Sequence, residues 1–256
     1  MFHLVKTNTM RKFAFFLVLF FCYKTLNAQE IITDRPDQTE SSSTVPKNSL
    51  QIESGANFVF SEENGMSNQS IVAPSTLFRV GVFKWAELRI LNQFESNRFG
   101  NNPSIKGLSD VEIGTKIQLL KRKSINTEIA FLSHIILPTG SRNITNYDFG
   151  TINKLSISHS LNENLDLGYN IGYNSSSGYI GDFTYSLALG IGLTDKVSMY
   201  IEPYGEWINF QFLQANIDAG FTYLLQENLQ LDFSFGLGLN YNMNYISAGI
   251  SWLIVR

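Results

Sequence analysis

The chain has 256 residues, of which 44% are hydrophobic, 13% aromatic and 16% charged. The charged fraction lies well below the roughly 25% that is usual in soluble globular proteins, and the apolar content excludes an intrinsically disordered chain. With a formal net charge of −3 the chain has no basic field for a nucleic acid backbone, so we expect no nucleic acid partner.

The first 28 residues have the organisation of a secretory signal peptide. Three cations precede the apolar run 13–23, and the small residue Ala28 follows at a position suited to cleavage. The run is shorter than the roughly 20 apolar residues that a transmembrane helix needs. We therefore expect residues 1–28 to be removed after export, whether the chain starts at Met1 or at Met10.

Loss of this peptide leaves 15 cationic and 22 acidic side chains, a net charge of −7. It also removes Cys22, the sole cysteine, and with it any disulfide, thiol nucleophile or cysteine-bound metal. The remaining histidines, His134 and His159, are too far apart in sequence to form a usual metal-ligand cluster. We therefore expect neither a metal nor another cofactor.

Residues 29–49 form a polar lead-in to the first strand, expected in the periplasm. Pro36 and Pro46 prevent a regular helix through this segment. From Leu50 onward apolar residues alternate with polar or small ones, which is the period of a β-strand. Twelve alternating runs predict twelve strands, at 50–60, 72–82, 87–95, 108–119, 125–137, 151–161, 165–174, 182–193, 197–206, 214–225, 229–240 and 245–255.

The predicted strands have lengths near the 9–11 residues that a tilted strand needs to cross a bilayer, against about 5–6 in soluble sheets. Their connections alternate between long ones, such as 61–71 and 138–150, and short ones, such as 162–164. This alternation places both termini on the short-turn side and is typical of outer-membrane barrels. A soluble β-sandwich, the alternative, would bury the apolar face against a second sheet.

The sequence therefore predicts an all-β fold over residues 50–256. It is a transmembrane, up-and-down antiparallel β-barrel of about 12 strands, with long extracellular loops and short periplasmic turns. Closure is required because every backbone polar group must be paired within hydrocarbon. Aromatic residues near strand ends are predicted to lie at the membrane interfaces: Phe58, Phe60, Trp85, Phe94, Tyr173, Tyr223, Tyr245 and Trp252.

The polar face of the strands is predicted to line the lumen. Its charged members include Glu53, Arg79, Glu87, Arg89, Glu112, Lys116, Glu128, Asp218 and Asp232. An acidic excess favours cations or polar solutes over anions, although opposite charges can also pair and brace the interior. Twelve strands lie between filled eight-stranded barrels and open porins of 16–18 strands, which predicts a narrow or plugged pore.

Three short strings resemble recurring elements of one protein family. TDRPDQTES at 33–41, followed by VPK and LQIESG, resembles the opening of Gram-negative outer-membrane proteins labelled as a MetA pathway of phenol degradation, or simply as transporters. ILPTGS at 136–141 and SAGISW at 247–252 are similar to further elements of that family. The resemblance implies an outer-membrane channel for small solutes, hydrophobic or aromatic compounds included, without establishing phenol as the solute.

The specific part of the resemblance is the N-terminal string. The residues that it carries over are Thr33, Asp34, Arg35, Pro36, Asp37, Gln38, Thr39 and Glu40. We hypothesise that they fold into the periplasmic mouth as a plug and pair with lumen charges such as Arg79 or Arg89. The resemblance also implies contact with outer-membrane lipid and with the barrel-assembly machinery, for which Trp252 stands in place of a terminal aromatic residue.

Two other functions fit a barrel of this kind. A structural or adhesive barrel would keep its lumen shut and bind partners through its loops. A lipid hydrolase at the rim would need a serine beside a base, and only His159 has serine neighbours, Ser158 and Ser160. Strand alternation places these serines and His159 on opposite faces, so we predict no catalytic residues and no enzyme.

Overall fold

The computed structural model describes residues 31–176 and 180–255, with the side chain of Lys123 left out. The predicted signal peptide, 1–28, lies outside the described residues. Within them, no helix is long and apolar enough to cross a membrane. The strands are β1 (Ser49–Glu63), β2 (Met66–Phe83), β3 (Ala86–Phe99), β4 (Ile105–Leu108), β5 (Val111–Arg122), β6 (Thr127–Leu137), β7 (Gly150–Asn162), β8 (Leu165–Ser176), β9 (Asp182–Gly192), β10 (Val197–Ile208), β11 (Phe212–Gln226), β12 (Leu229–Gly238) and β13 (Asn242–Val255).

The strands form one closed antiparallel sheet. Apart from the short strand β4, each pairs with its neighbours in sequence, and β1 closes the barrel by pairing with β13 from Ser49 opposite Val255 to Glu62 opposite Asn242. The short strand β4 pairs with β3, and β3 then continues against β5. β4 and β5 together form the fourth strand of the barrel, so the predicted closed barrel of about twelve strands is confirmed.

Several strands continue beyond their predicted ends. β1 and β2 meet at a two-residue turn in which Asn64 has φ 51° and Gly65 has φ 74°, as type I′ hairpins require. The prediction of a long connection at 61–71 is therefore wrong. This stretch is polar on both faces, so alternation disappears from the sequence although backbone pairing continues. We call the end of the barrel that carries this turn and the long connection 138–149 the long-loop end. The opposite end, which carries turns such as 84–85 and 227–228, is the short-turn end.

The alternation of side chains separates an apolar outer face from a polar inner face. On β12, Leu231 and Phe233 are 38% and 45% exposed. The residues that alternate with them, Asp232 and Ser234, are 6% and 0% exposed. An exposed apolar surface around a whole barrel fits a lipid solvent. The predicted interface aromatics lie outside, with the exception of Tyr245.

Tyr245 is buried in the lumen, where its hydroxyl donates to Asp218. The prediction that Tyr245 is an interface residue is wrong because it lies an even number of positions from Ser247 and Ser251, which also face inward. Tyr245 was predicted at the membrane interface because it is near a strand end. Its side chain is in the lumen because it belongs to the inner face of β13.

The longest connection, 138–149, covers the interruption between β4 and β5. The carboxylate of Asp110 accepts a hydrogen bond from the backbone N–H of Gly140 at 2.8 Å. Ser141 accepts from the N–H of Leu108 through its hydroxyl and donates its own N–H to the Leu108 carbonyl, both at 2.8 Å. The PTGS part of the ILPTGS string thus provides hydrogen bonds where the regular strand ladder stops.

The outer face gives a stability prediction. We expect Phe233→Lys, at the middle of β12, to lower the free energy of unfolding in lipid vesicles by about 2–4 kcal/mol, because it places a charge near the bilayer centre. Leu225→Lys is the matched control near the short-turn end of β11 and is expected to cost about 0–1 kcal/mol. Equal losses in denaturant titrations of the two variants would contradict the lipid-facing assignment.

Candidate functional site

Residues 31–48, which we call the N-terminal segment, lie inside the barrel. Both ends are fixed at the short-turn end: the N–H of Ile31 donates to the carbonyl of Glu227 at 3.0 Å, and the N–H of Asn48 donates to the carbonyl of Gly81 at 2.8 Å. Between these points the segment reaches the middle of β8, where the N–H of Glu40 donates to Asn170 at 2.7 Å. The segment is therefore a loop that enters and leaves the lumen at one end.

One side of the lumen holds three buried cations that meet at Asp34 of the segment. Arg79, Arg89 and Lys116 are at most 1% exposed. Their terminal nitrogens lie 3.1, 2.6 and 2.8 Å from the Asp34 carboxylate. Burial alone would raise the pKa of Asp34, but the three cations outweigh burial and hold that pKa well below its usual value.

Carboxylates of the wall compensate only part of this positive charge. Arg79 contacts Glu53 and Glu87 at 2.8 Å each, and Arg89 contacts Glu87 at 3.0 Å. The wall thus contributes three cations and two anions to this cluster. Glu40 of the segment contacts Arg89 at 2.8 Å, so the segment brings two carboxylates, Asp34 and Glu40, to a wall with one cation in excess.

His134 extends this cluster along the wall. The Nε–H of Arg89 donates to Nε2 of His134 at 3.0 Å, which makes Nε2 an acceptor. The proton of the neutral ring therefore lies on Nδ1, which donates to Glu112 at 2.8 Å. Gly114 makes room for the ring, since a Cβ there would lie 2.0 Å from Cδ2 of His134.

Arg35 fixes the segment to the neighbouring wall. Its guanidinium donates to Asp232 at 3.0 and 3.3 Å and to the hydroxyl of Ser247 at 3.1 Å. The guanidinium lies over Gly55 and Gly249, where an added Cβ would come within 2.4–2.6 Å of it. The SAGISW string therefore provides both a hydrogen-bond partner and the space for the arginine of the TDRPDQTES string.

The opposite side of the lumen is acidic. Glu202 and Asp218 are directly opposite each other on β10 and β11, and both are buried. The N–H of Gln38 and the hydroxyl of Thr39 donate to Glu202 at 2.7 and 2.5 Å. Asp37 lies beside these carboxyl groups, and burial together with Glu202 and Asp218 raises its pKa well above the usual value.

The remaining segment residues also contact the wall or one another. Thr33 accepts a hydrogen bond from Gln230 at 2.9 Å and donates to the carbonyl of Arg35. Pro36 is buried. The hydroxyl of Thr39 also lies 2.7 Å from that of Ser186 on β9.

The structure places all nine predicted lumen residues on the inner face. Glu112 and Glu128 are half-buried, and Glu128 accepts from the hydroxyl of Ser43 at 2.8 Å. The other seven are buried: Glu53, Arg79, Glu87, Arg89, Lys116, Asp218 and Asp232.

Sequence reasoning missed Glu202, which is fully buried and binds the tip of the segment. The signal was present, because Glu202 lies four residues before Glu206, which the pattern assigns to the inner face. The inward position of Tyr200 was not predicted either, although Tyr200 lies on the same face of β10 as Glu202. Pro203 between these residues obscures the alternation.

The residues considered for a hydrolase do not converge. His159 contacts the hydroxyl of Thr127 at 2.8 Å through Nδ1. Ser158 faces the lumen, with its hydroxyl 2.5 Å from that of Ser42. In the described part of the chain, no group of three or more His, Cys, Asp or Glu residues could hold a metal ion.

A family model described as "Putative MetA-pathway of phenol degradation" matches residues 33–251. The chain belongs to this family. The match begins at Thr33, the first residue of the TDRPDQTES string, and ends within SAGISW, so the two strings that meet at Arg35 lie at the limits of the MetA-pathway family match. A search of curated proteins finds no match.

Solved structures of other outer-membrane proteins have a barrel similar to that of this chain. An outer-membrane channel from Pseudomonas putida F1 aligns with a TM-score of 0.75 at 9% identity, covering 88% of this chain and 100% of that one. The KdgM porin in complex with disordered oligogalacturonate aligns with a TM-score of 0.53 at 8% identity, covering 79% and 98%. The chain therefore has the fold of outer-membrane barrels.

We predict that substitutions of the two aspartates of the segment, Asp34 and Asp37, have opposite effects on its docking. We expect Asp34→Asn to weaken docking of the segment at pH 7 by about 3–5 kcal/mol, because it removes the one carboxylate that all three buried cations contact. Asp37→Asn is expected to strengthen docking, because it removes a carboxyl group whose ionisation is unfavourable there. Hydrogen exchange of the amides of residues 33–42, measured by mass spectrometry, distinguishes the two effects.

The pH dependence follows from the direction of each pKa shift. The contribution of Asp34 is present above about pH 4, the unfolded value, and is lost as pH falls through its lowered pKa. The penalty from Asp37 appears as pH rises above about 4 and stops growing above its raised pKa. Both variants should therefore approach the parent protein in acid, and effects of the same sign at pH 7 would contradict the assignment.

Proposed function

We propose that the protein is an outer-membrane channel for small solutes, with the N-terminal segment as its plug. The observation that carries the proposal is the cluster at Asp34, where a segment from outside the strands neutralises cations of the wall. A plug held by ion pairs and hydrogen bonds can leave a polar lumen, because water and ions can take over the contacts that the plug makes with the wall. A continuous apolar core would lack this property.

Membership of the MetA-pathway family supports small aromatic compounds such as phenol as the solutes. The cluster around Glu202 and Asp218 supports a preference for neutral or cationic solutes over anions. In this proposal the chain has no enzymatic activity.

The proposed location is the outer membrane of a Gram-negative cell, reached through cleavage of residues 1–28. The apolar outer face supports contact with lipid, and an outer-membrane barrel implies help from the barrel-assembly machinery. A permanently closed structural or adhesive barrel is the second candidate. It is favoured by how widely the segment is bonded around the lumen, to Glu53 on β1, Asn170 on β8 and Glu202 on β10.

A disulfide latch tests whether the segment must move. The chain from Gln29 onward has no cysteine, and the hydroxyls of Thr39 and Ser186 are 2.7 Å apart. We expect Thr39→Cys with Ser186→Cys to form a disulfide that abolishes current in planar bilayers. Reduction should restore the current of the parent chain, because only the latch prevents displacement.

A second latch and a deletion complete the test. Ser42→Cys with Ser158→Cys joins another close pair of hydroxyls, 2.5 Å apart, and should behave in the same way. Deletion of 31–42 should give a current that no longer closes. Identical currents from oxidised and reduced latches would refute the plug, and a folded deletion variant without current would favour the closed barrel.

A further inference from the structure

A polar cavity lies above the tip of the N-terminal segment, towards the long-loop end of β7 to β11. Its volume is about 290 Å³ and Gln38 contributes to its floor. The volume is near the lower end of the roughly 300–1,000 Å³ of small-molecule sites. A solute arriving from outside the cell would meet this cavity before the proposed plug.

Tyrosine rings and amide groups dominate the lining. Tyr185, Tyr204 and Tyr241 provide rings with hydroxyls, while Asn174 and Gln214 provide amides. The Oδ1 atom of Asn174 is buried and has no hydrogen-bond partner among the residues that the structure describes. The lining therefore offers both aromatic surface and hydrogen-bonding capacity.

Two wall contacts fix the shape of this cavity. The hydroxyl of Tyr241 donates to the side-chain oxygen of Asn216 at 2.8 Å. Tyr185 lies across Gly205 of the neighbouring strand, where an added Cβ would come within 2.7 Å of the tyrosine hydroxyl. The glycine thus provides the space in which the ring lies against the wall.

The lining discriminates between classes of solute. A hydrocarbon would displace water from amides and hydroxyls without replacing its hydrogen bonds, which is unfavourable. Lys154 and Glu206 contribute one charge of each sign, so no net charge attracts an ion of either sign. A solute with several hydroxyl groups can donate to and accept from the same amides and hydroxyls.

We infer that this cavity binds a neutral, polyhydroxylated solute of one or two sugar rings. The hydroxyls bond to Asn174, Gln214 and the tyrosine hydroxyls, and the apolar face of the ring lies on a tyrosine. The inference rests on the proposed function, since it specifies the solute class of the same lumen. At this cavity it adds a solute class to the small aromatic compounds that family membership supports for the channel.

Saturation-transfer NMR on the chain refolded in detergent tests this site with glucose, maltose and phenol as probes. We expect transfer to both sugars to exceed transfer to phenol and to fall at least threefold in Gln214→Leu. Gln226→Leu, the same change at the exposed opposite end of β11, is the matched control and should keep the parent signal. Heat-modifiable migration in gels establishes that each variant is folded.

Other outcomes overturn the inference. Absence of a sugar signal, equal signals in the two glutamine variants, or a stronger signal from phenol would each do so. Binding does not require passage through the barrel. Failure here is therefore distinguishable from failure of the latch experiment, which tests whether the barrel conducts at all.

Discussion

The structure depends on the need to neutralise three cations inside a barrel. Arg79, Arg89 and Lys116 project from β2, β3 and β5 into a buried space, where an unpaired charge is highly unfavourable. The wall supplies Glu53 and Glu87, which leaves one positive charge in excess within the cluster. The N-terminal segment more than compensates this excess, because its Asp34 and Glu40 bring two further carboxylates to the same cations.

The segment meets opposite electrostatic conditions within a few residues. Asp34 lies among cations that favour its ionised form, whereas Asp37 lies beside Glu202 and Asp218, which disfavour ionisation. One side of the segment is thus strongly anchored, and the other is held by neutral donors from Gln38 and Thr39. If the segment acts as the proposed plug, this asymmetry predicts that its tip leaves the wall before the anchor at Asp34 does.

The period of the sequence predicted the barrel and the inner face because a two-residue repeat fixes which side of a strand each residue occupies. The same rule could have found Glu202 and could have placed Tyr245 correctly. It could not predict that Thr39 meets Glu202, since 163 positions separate them and only the closed sheet sets their distance. Nor did it reveal the interruption before Val111, where hydrogen bonds from a distant loop replace the ladder.

The most direct test of the anchoring is a double-mutant cycle between Asp34→Asn and Lys116→Met, read as the free energy of unfolding in lipid vesicles. The Nζ of Lys116 lies 2.8 Å from both carboxylate oxygens of Asp34. We predict a coupling energy of at least about 1.5 kcal/mol, as measured for other close charge pairs. Single-variant effects that add within about 0.5 kcal/mol would show that the two groups act independently and would contradict the account.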